Sequence, residues 1–497
     1  MTVTSLLQPA AVDDARPING HGDDDIYPVH LLDGTKVQHC IMVSFFKFND
    51  ILDHQQIKQA LTRVLQIGDW RKLGGRFRTK PQLIQGQGLE IHVPRQYTAA
   101  RPAFNFAFET CPCRFAEHPL GGQLPQEAAD AVSLSAHLGE LREYGHAPGF
   151  PNTMDDLVDR DAPQLSFKIT HYTDATLLAT TFSHCTWDVS GALGFMKALQ
   201  LVLDGREDEV PPMLGASSDM LAEVAGLHER GLQEDVQLKQ MMSHRSGDEK
   251  ECVHRSPQPI LEERLIGIPM DTLKRLRSLV IAEDGDEDTW MTYQPDELFV
   301  ALVVQQIARA SPTPRSINMM NILNARLVVP SLSKARGVYT QNMVLLAPNK
   351  LSPNTTAGGL GPIAVSQRAC IGGFTTQANI ARSLRTFLGA IQAGVDTTAL
   401  TSSDDDAAPL LINNLVRFTN ELDIDLSSAV LRQGEGSATR NNALGTVDFC
   451  YLTIKNPYDM MRITTLGAYD GTACWMFGEL PARAWELLQE TLDELGQ

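Results

Sequence analysis

No run of about 18 or more apolar residues occurs in the chain, so a membrane-spanning helix is not expected. Basic clusters are missing as well: 42 lysines and arginines stand against 60 aspartates and glutamates, a formal net charge of −18 at pH 7. Such a field argues against a nucleic-acid or anionic-membrane partner, and a phosphate-bearing substrate would need a local basic pocket working against it. The first 25 residues, MTVTSLLQPAAVDDARPINGHGDDD, contain no basic region leading into an apolar stretch. They read as a short disordered leader and not as a secretory signal. Cysteine offers no framework either. The eight cysteines are scattered, at 40, 111, 113, 185, 252, 370, 450 and 474, which without a signal fits reduced thiols in a cytoplasmic protein. Cys111-Pro-Cys113 is the only close pair, and with no matching Cys or His spacing no metal site is expected.

What is present is ordinary globular composition, 43% hydrophobic and 21% charged, spread over 497 residues. That length exceeds a single ordinary core and implies at least two domains. Residues 39–48 and 176–183 read as strands. Asp53 precedes a helix with Ile57, Leu61 and Val64 on one face, and 190–203 is a second helix. Gly74 and Gly75 break a turn into the next strand. The stretch 238–263 is polar, charged and carries two prolines, the look of a crossover. Beyond it, 294–310 reads as a helix capped near Asp296, SINMMNILNARLVV and YTQNMVLLAP as strands, and TTQANIARSLRTFLGAI as a helix. TSSDDDAAP reads as a solvated loop. The C-terminal part is strand-like around a turn at Asp470-Gly471 and ends on the helix ARAWELLQETLDEL. No internal repeat is visible. The expected class is α/β or α+β with mixed sheets. Its divisions are a leader at 1–25, an N-terminal domain at 26–215, a crossover at 216–263 and a C-terminal domain at 264–497.

The His-x-x-x-Asp spacing occurs at His21/Asp25 and His184/Asp188, and also at His244/Asp248 within the polar 238–263 stretch. Among thirteen histidines and an acid-rich background such a pair arises by chance about once, so the spacing alone says little. Context separates them. His21 lies in a run of acids in the leader, where nothing holds an imidazole in place. His184 follows a buried strand and directly precedes a helix, a position from which a rigid scaffold presents a side chain to a cleft. There it is either a satisfied core histidine, with Asp188 a helix N-cap, or a general base whose ordinary pKa lies near neutrality. Cys185 is a poor nucleophile candidate, since adjacency in sequence does not put its sulfur within reach of the ring.

Beyond single motifs, the chain resembles the BAHD acyltransferases, and more narrowly their fungal members resembling trichothecene acetyltransferases. YPVHLLDGTKVQHCIMVSFFKF (27–48) is similar to the family's Pro–Leu–Asp strand entry, and IKQALTRVLQIGDWRKLGGRFR to its first helix and Leu-x-Gly-Arg turn. SHCTWDVSG holds the defining His-x-x-x-Asp. DELFVALVVQQIARA resembles the helix opening the second half, NARLVV the Asn/Asp-x-Arg strand and GVYTQNMVLL the Gly-Tyr-x-x-Asn strand. One motif departs. Ser-Trp followed by Asp-Phe-Gly-Trp-Gly becomes SATRNNALGTVDFCYL (437–452), in which Asp448 and Phe449 match while Cys450, Tyr451 and Leu452 replace Gly-Trp-Gly.

The resemblance implies two chloramphenicol-acetyltransferase-like domains with an active-site tunnel at their interface. It implies direct transfer from an acyl-CoA co-substrate, with acetyl-CoA the expected donor, to a hydroxyl or amine of a small secondary metabolite. His184 would be the general base, with no metal, no permanently bound cofactor and no acylated enzyme. Asp188 would turn away from the acceptor and pair with Arg326, while Asp448 supports a loop near coenzyme A. Ser437 and Arg440, with Arg432 and Lys455 behind them, would hold the coenzyme A phosphates. A monomer is expected. The alternatives are a same-fold condensation or cyclisation without free coenzyme A, which the eroded 448–452 motif leaves open, and a non-catalytic binding protein, which the intact His184 and Asp188 disfavour. Carrier-protein condensation domains fit less well, because their motif begins His-His and residue 183 here is Ser.

Overall fold

β-branched and aromatic residues run together in IMVSFFKF and TLLATTFS, and both segments form strands buried along their whole length. A computed structural model of the chain describes residues 24–80, 88–124, 133–135, 138–227, 260–393, 407–416, 423–434, 440, 442–455, 460–467 and 473–496. In chain order the strands of the first half are β1 (Asp25–Pro28), β2 (Ile41–Phe48), β3 (Asp50–Leu52), β4 (Arg76–Thr79), β5 (Leu89–Val93), β6 (Asn105–Thr110), β7 (Ser133–Ser135), β8 (Leu165–His171), β9 (Thr176–Ser183) and β10 (Met213–Leu214). Those of the second half are β11 (Leu261–Pro269), β12 (Ile317–Asn324), β13 (Val338–Tyr339), β14 (Val344–Leu351), β15 (Ala408–Asn414), β16 (Val430–Gln433), β17 (Val447–Lys455), β18 (Met461–Gly467) and β19 (Ala473–Pro481).

Two mixed sheets dominate. One has the order β17-β2-β9-β8-β6 and the other β14-β12-β15-β18-β19-β11-β7. Neither is built from one half of the chain. β17 pairs with β2 of the first sheet, and β7 pairs with β11 of the second. A hydrophobic cluster joins the two: Val43, Phe45, Leu177 and Ala179 from the first sheet pack with Leu265, Leu466, Trp475 and Phe477 from the second.

Helices form where the sequence periodicity places them. Asp53 caps His54–Val64 by accepting from the N–H groups of Gln55 and Gln56 at 2.8 and 3.1 Å, and Ile57, Leu61 and Val64 are buried. The helix Val189–Leu203 starts one residue earlier than its periodicity suggests. Pro295–Ala310 is capped by Gln294 and not by Asp296: Glu297 reaches back to the Gln294 N–H at 2.7 Å, a box that competes successfully for the helix start. Gly74 closes a 3₁₀ helix, Gly68–Gly74, rather than a simple turn. SINMMNILNARLVV is not one strand. It ends at Asn324, whose side chain accepts from the Arg326 N–H at 2.9 Å and starts a helical turn at Ala325–Val328. β11 begins at Leu261, inside the expected crossover, most of which (228–259) lies outside the described residues. So do the leader up to residue 23, residues 401–406 of the acidic loop, and Asp470-Gly471, although the flanking β18 and β19 pair antiparallel.

Candidate active site

The His184 loop leaves the end of β9 and enters the helix Val189–Leu203 within five residues. His184 N–H donates to the Cys40 carbonyl at 2.9 Å, and Thr186 N–H returns to Ser183 O at 2.8 Å. Ser183 Oγ donates to Gln38 O and accepts from Cys185 N–H. The loop is therefore bound to the entrance of β2 before any side chain of the motif is considered.

Asp188 does not reach for His184. Its Oδ2 accepts from Arg326 Nη1 at 2.7 Å and from Met343 N–H at 3.1 Å. Its Oδ1 accepts from Arg326 Nη2 at 3.1 Å and from Gly191 N–H at 2.9 Å, the N-cap bond of the helix. The expected ion pair is thus present and bidentate, and Asp188 is an N-cap as well. The side chains of Arg326 and Asp188 are 14% and 9% exposed, so four donors are what a carboxylate at this depth requires. Arg326 also donates from Nη2 to Tyr339 O and Gln341 O, both at 2.8 Å. It latches the 339–343 segment against the loop. Close packing allows this: a Cβ on Gly191 would lie 2.8 Å from both the Cα and the carbonyl oxygen of Thr340.

Burial holds the His184 imidazole below its ordinary pKa, and Arg462 acts in the same direction. The Asp188 charge and the nearby carbonyls of His184 and Trp187 oppose it. Nδ1 is buried with no hydrogen-bond partner among the described residues. An imidazole kept neutral near pH 7, at a strand end and free of a carboxylate partner, has the properties of a base without a relay. Cys185 is 3% exposed and burial pushes its thiol well above the usual range, so a thiolate nucleophile is suppressed.

The remaining candidates fall elsewhere. β2 runs seven residue steps from Ile41, opposite Ser183, to Phe48, so its far end is about 23 Å from the His184 end. Asp448 sits at that far end, pairing Lys47 at 2.7 Å, and the 447–455 segment is a strand rather than a loop. Arg440 is there too. Its Nη1 and Nη2 donate to the two oxygens of Asp50 at 2.8 and 2.6 Å, with the two side chains 8% and 0% exposed. A guanidinium spent on a buried carboxylate must break that pair before it can meet a phosphate, which the sequence did not disclose. Arg432 is exposed and its Nη2 donates to Thr173 O at 3.1 Å. Lys455, exposed, lies opposite Ile41, two strands from Ser183 at the His184 end. Ser437 lies outside the described residues. Sequence reasoning missed Asn342, which bonds the His184 loop, and Asp33, which holds Asn342, although each lies in a stretch that carried the resemblance. Among the described residues no group of three or more His, Cys, Asp or Glu is placed to hold a metal ion, and no helix is long and apolar enough to cross a membrane.

No family model matches the chain. It is 27% identical over 494 residues to the acetyltransferase adrJ of Penicillium roqueforti, covering 95% of this chain and 96% of that protein. It is 28% identical over 508 residues to the acetyltransferase sphE of Aspergillus fumigatus, covering 94% and 95%. Among solved structures it is similar to TRI101 of F. sporotrichioides, complexed with coenzyme A and T-2, at a TM-score of 0.58 and 10% identity, covering 93% of this chain and 96% of that one. It is similar to vinorine synthase at a TM-score of 0.55 and 13% identity, covering 97% and 95%. The fold is the two-domain chloramphenicol-acetyltransferase-like one. Relatives named acetyltransferases, matched over nearly their whole length, and this architecture together support a BAHD-like acyltransferase of the trichothecene-acetyltransferase branch.

Proposed function

We propose that the chain uses an acyl-CoA, acetyl-CoA in the first instance, to acylate a hydroxyl or amine of a small, largely apolar secondary metabolite. His184 is the general base. The observation that carries this reading is the bidentate Asp188–Arg326 pair, which takes the motif's carboxylate away from the imidazole and leaves a neutral ring at the end of β9. In the reaction His184 removes the proton from the acceptor, whose oxygen or nitrogen attacks the thioester carbonyl. The tetrahedral adduct collapses, the C–S bond breaks, and the departing thiolate takes the proton from the imidazolium. Positioned general-base catalysis of this kind contributes about 10²–10⁴-fold.

In this reading residues 26–215 and 264–497 supply most of the two domains, which exchange β7 and β17, and the protein acts as a cytoplasmic monomer. Exposed Lys455 is a better partner for the coenzyme A phosphates than Arg440, because Asp50 already holds the Arg440 guanidinium. A second reading, a condensation or cyclisation without free coenzyme A, is favoured by one observation: Cys450, Tyr451 and Leu452 stand where the family has Gly-Trp-Gly. Incubation with acetyl-CoA, longer acyl-CoAs and a panel of alcohols and amines, with free thiol measured, tests both. Acceptor-dependent thiol release that His184→Ala abolishes supports acyl transfer. Product formation with no thiol release supports the second reading instead.

A further inference from the structure

The His184 loop is held from another side by two residues that the chemistry above does not use. Asp33 is 4% exposed, and its Oδ1 accepts twice from one residue: from the main-chain N–H of Asn342 at 2.8 Å and from Asn342 Nδ2 at 2.8 Å. The same Nδ2 donates to the main-chain carbonyl of His184 at 2.7 Å. Both protons of the amide are spent, one on a carboxylate and one on a carbonyl. Neither neighbour can donate when the carboxylate is ionised, so the amide has a single sensible orientation. On its other side His184 is fixed by its own N–H to Cys40 O at 2.9 Å. The peptide groups before and after the His184 Cα are thus both clamped, which leaves the imidazole only its side-chain torsions.

The neighbouring residues extend the arrangement. Asn342 holds residue 184, Met343 N–H holds Asp188, and Thr340 O accepts from the Asp188 N–H at 3.3 Å. One short segment therefore contacts both ends of the His-x-x-x-Asp loop. Asp33 organises that segment from a stretch 309 residues earlier in the chain. Burial pushes the Asp33 carboxyl up to about 7; the two Asn342 bonds pull it down, as does Lys72, itself buried at 6% exposure with Nζ on Ala216 O at 2.8 Å.

We propose that Asp33 and Asn342 are positioning residues of the reaction, a unit that fixes the His184 main chain and through it the direction of the imidazole. The proposal rests on the acyltransferase reading for its kinetic consequence but not for its geometry. The test uses the full chain with ¹³C-labelled histidine Cε1, the His184 resonance being identified by its loss in His184→Gln. Asn342→Ser keeps the main-chain N–H that Asp33 accepts and withdraws the link to the His184 carbonyl. It moves the His184 resonance and its titration. Asp33→Ala moves them in the same way, and the double variant adds nothing, because the two act as one unit. Asn321→Ala, which removes a buried amide bonded to Gln367 instead, leaves the resonance in place. In thiol release from acetyl-CoA, Asn342→Ser lowers kcat about 10- to 100-fold, the scale set by ångström misplacement of a reacting group, and leaves the acetyl-CoA KM within about twofold.

A residue that only supports the fold would lower the folded fraction without moving the resonance. A folded Asn342→Ser chain whose His184 resonance and titration match wild type overturns the proposal, as do independent, additive effects of the two substitutions. Should Asp33→Ala not fold, Asn342→Ser decides alone. A wild-type chain that releases no thiol from any acyl-CoA removes the acyl-transfer reading, and the resonance still decides the positioning.

Discussion

Arg326→Met removes the cation from the most highly coordinated carboxylate of the His184 loop. Asp188 then keeps two of its four donors, the N–H groups of Gly191 and Met343, and loses both guanidinium bonds. With its side chain 9% exposed, water does not replace them, and an orphaned buried charge of this kind costs about 3–5 kcal/mol. Against a typical stability of about 5–15 kcal/mol that is a large share. The opposite truncation, Asp188→Leu, leaves a guanidinium that still reaches Tyr339 O and Gln341 O, so its cost falls at the lower end of the range. Combining the two replaces the pair by apolar side chains and recovers much of the loss, since a buried pair replaced whole is often close to neutral. Urea unfolding followed by circular dichroism, run as a double-mutant cycle, measures this as a coupling of about 2 kcal/mol or more. Single substitutions that cost under about 1 kcal/mol, or that simply add, refute the account of Asp188 as a structural latch. So does an Arg326→Met chain whose activity per folded molecule equals that of wild type, because the loop would then hold without the latch.

His184→Ala should lower kcat by about a hundredfold or more while circular dichroism and coenzyme A binding stay near wild type; near-normal turnover would end the base assignment. Because burial lowers the His184 pKa, the neutral ring persists to more acid pH than a free imidazole, so the acid limb of kcat/KM should lie below about 6.5. An acid limb at or above 7 contradicts this. Gly191→Ala puts a Cβ 2.8 Å from Thr340 backbone atoms that cannot move aside cheaply, and should cost about 1–3 kcal/mol together with activity; a silent substitution would show that the helix and the 339–343 segment are not in close contact. Arg440→Ala takes the cation from the fully buried Asp50 carboxylate, which keeps the Gly445 N–H, and should cost about 3–5 kcal/mol while leaving the acetyl-CoA KM unchanged. A raised KM with unchanged stability would return Arg440 to the coenzyme A phosphates.

Local patterns in the chain were sufficient for much of the scaffold. A short, almost wholly apolar and threonine-rich run made β9, the Asp53 cap and a 3.6-residue period made His54–Val64, and strand followed directly by helix marked His184 against the equally spaced His21. The partner of Asp188 was legible too, but only through the family resemblance, because 138 residues separate it from Arg326 and no local spacing points across them. Where competing local chemistry was close in strength, at the Gln294 cap and at the Asn324 strand end, the hydrogen-bond geometry decided and the pattern did not. Long-range contacts stayed hidden altogether. Arg440 looks like a free phosphate ligand until folding brings Asp50, 390 positions away, beneath it. The eroded 448–452 motif looks like a loop until β17 joins β2. Asp33 and Asn342 look like strand-entry residues until the amide of Asn342 bridges the Asp33 carboxyl and the His184 carbonyl. Burial determines what a charged or polar side chain must bond to, and burial is a property of the assembled sheets, not of any stretch of the chain.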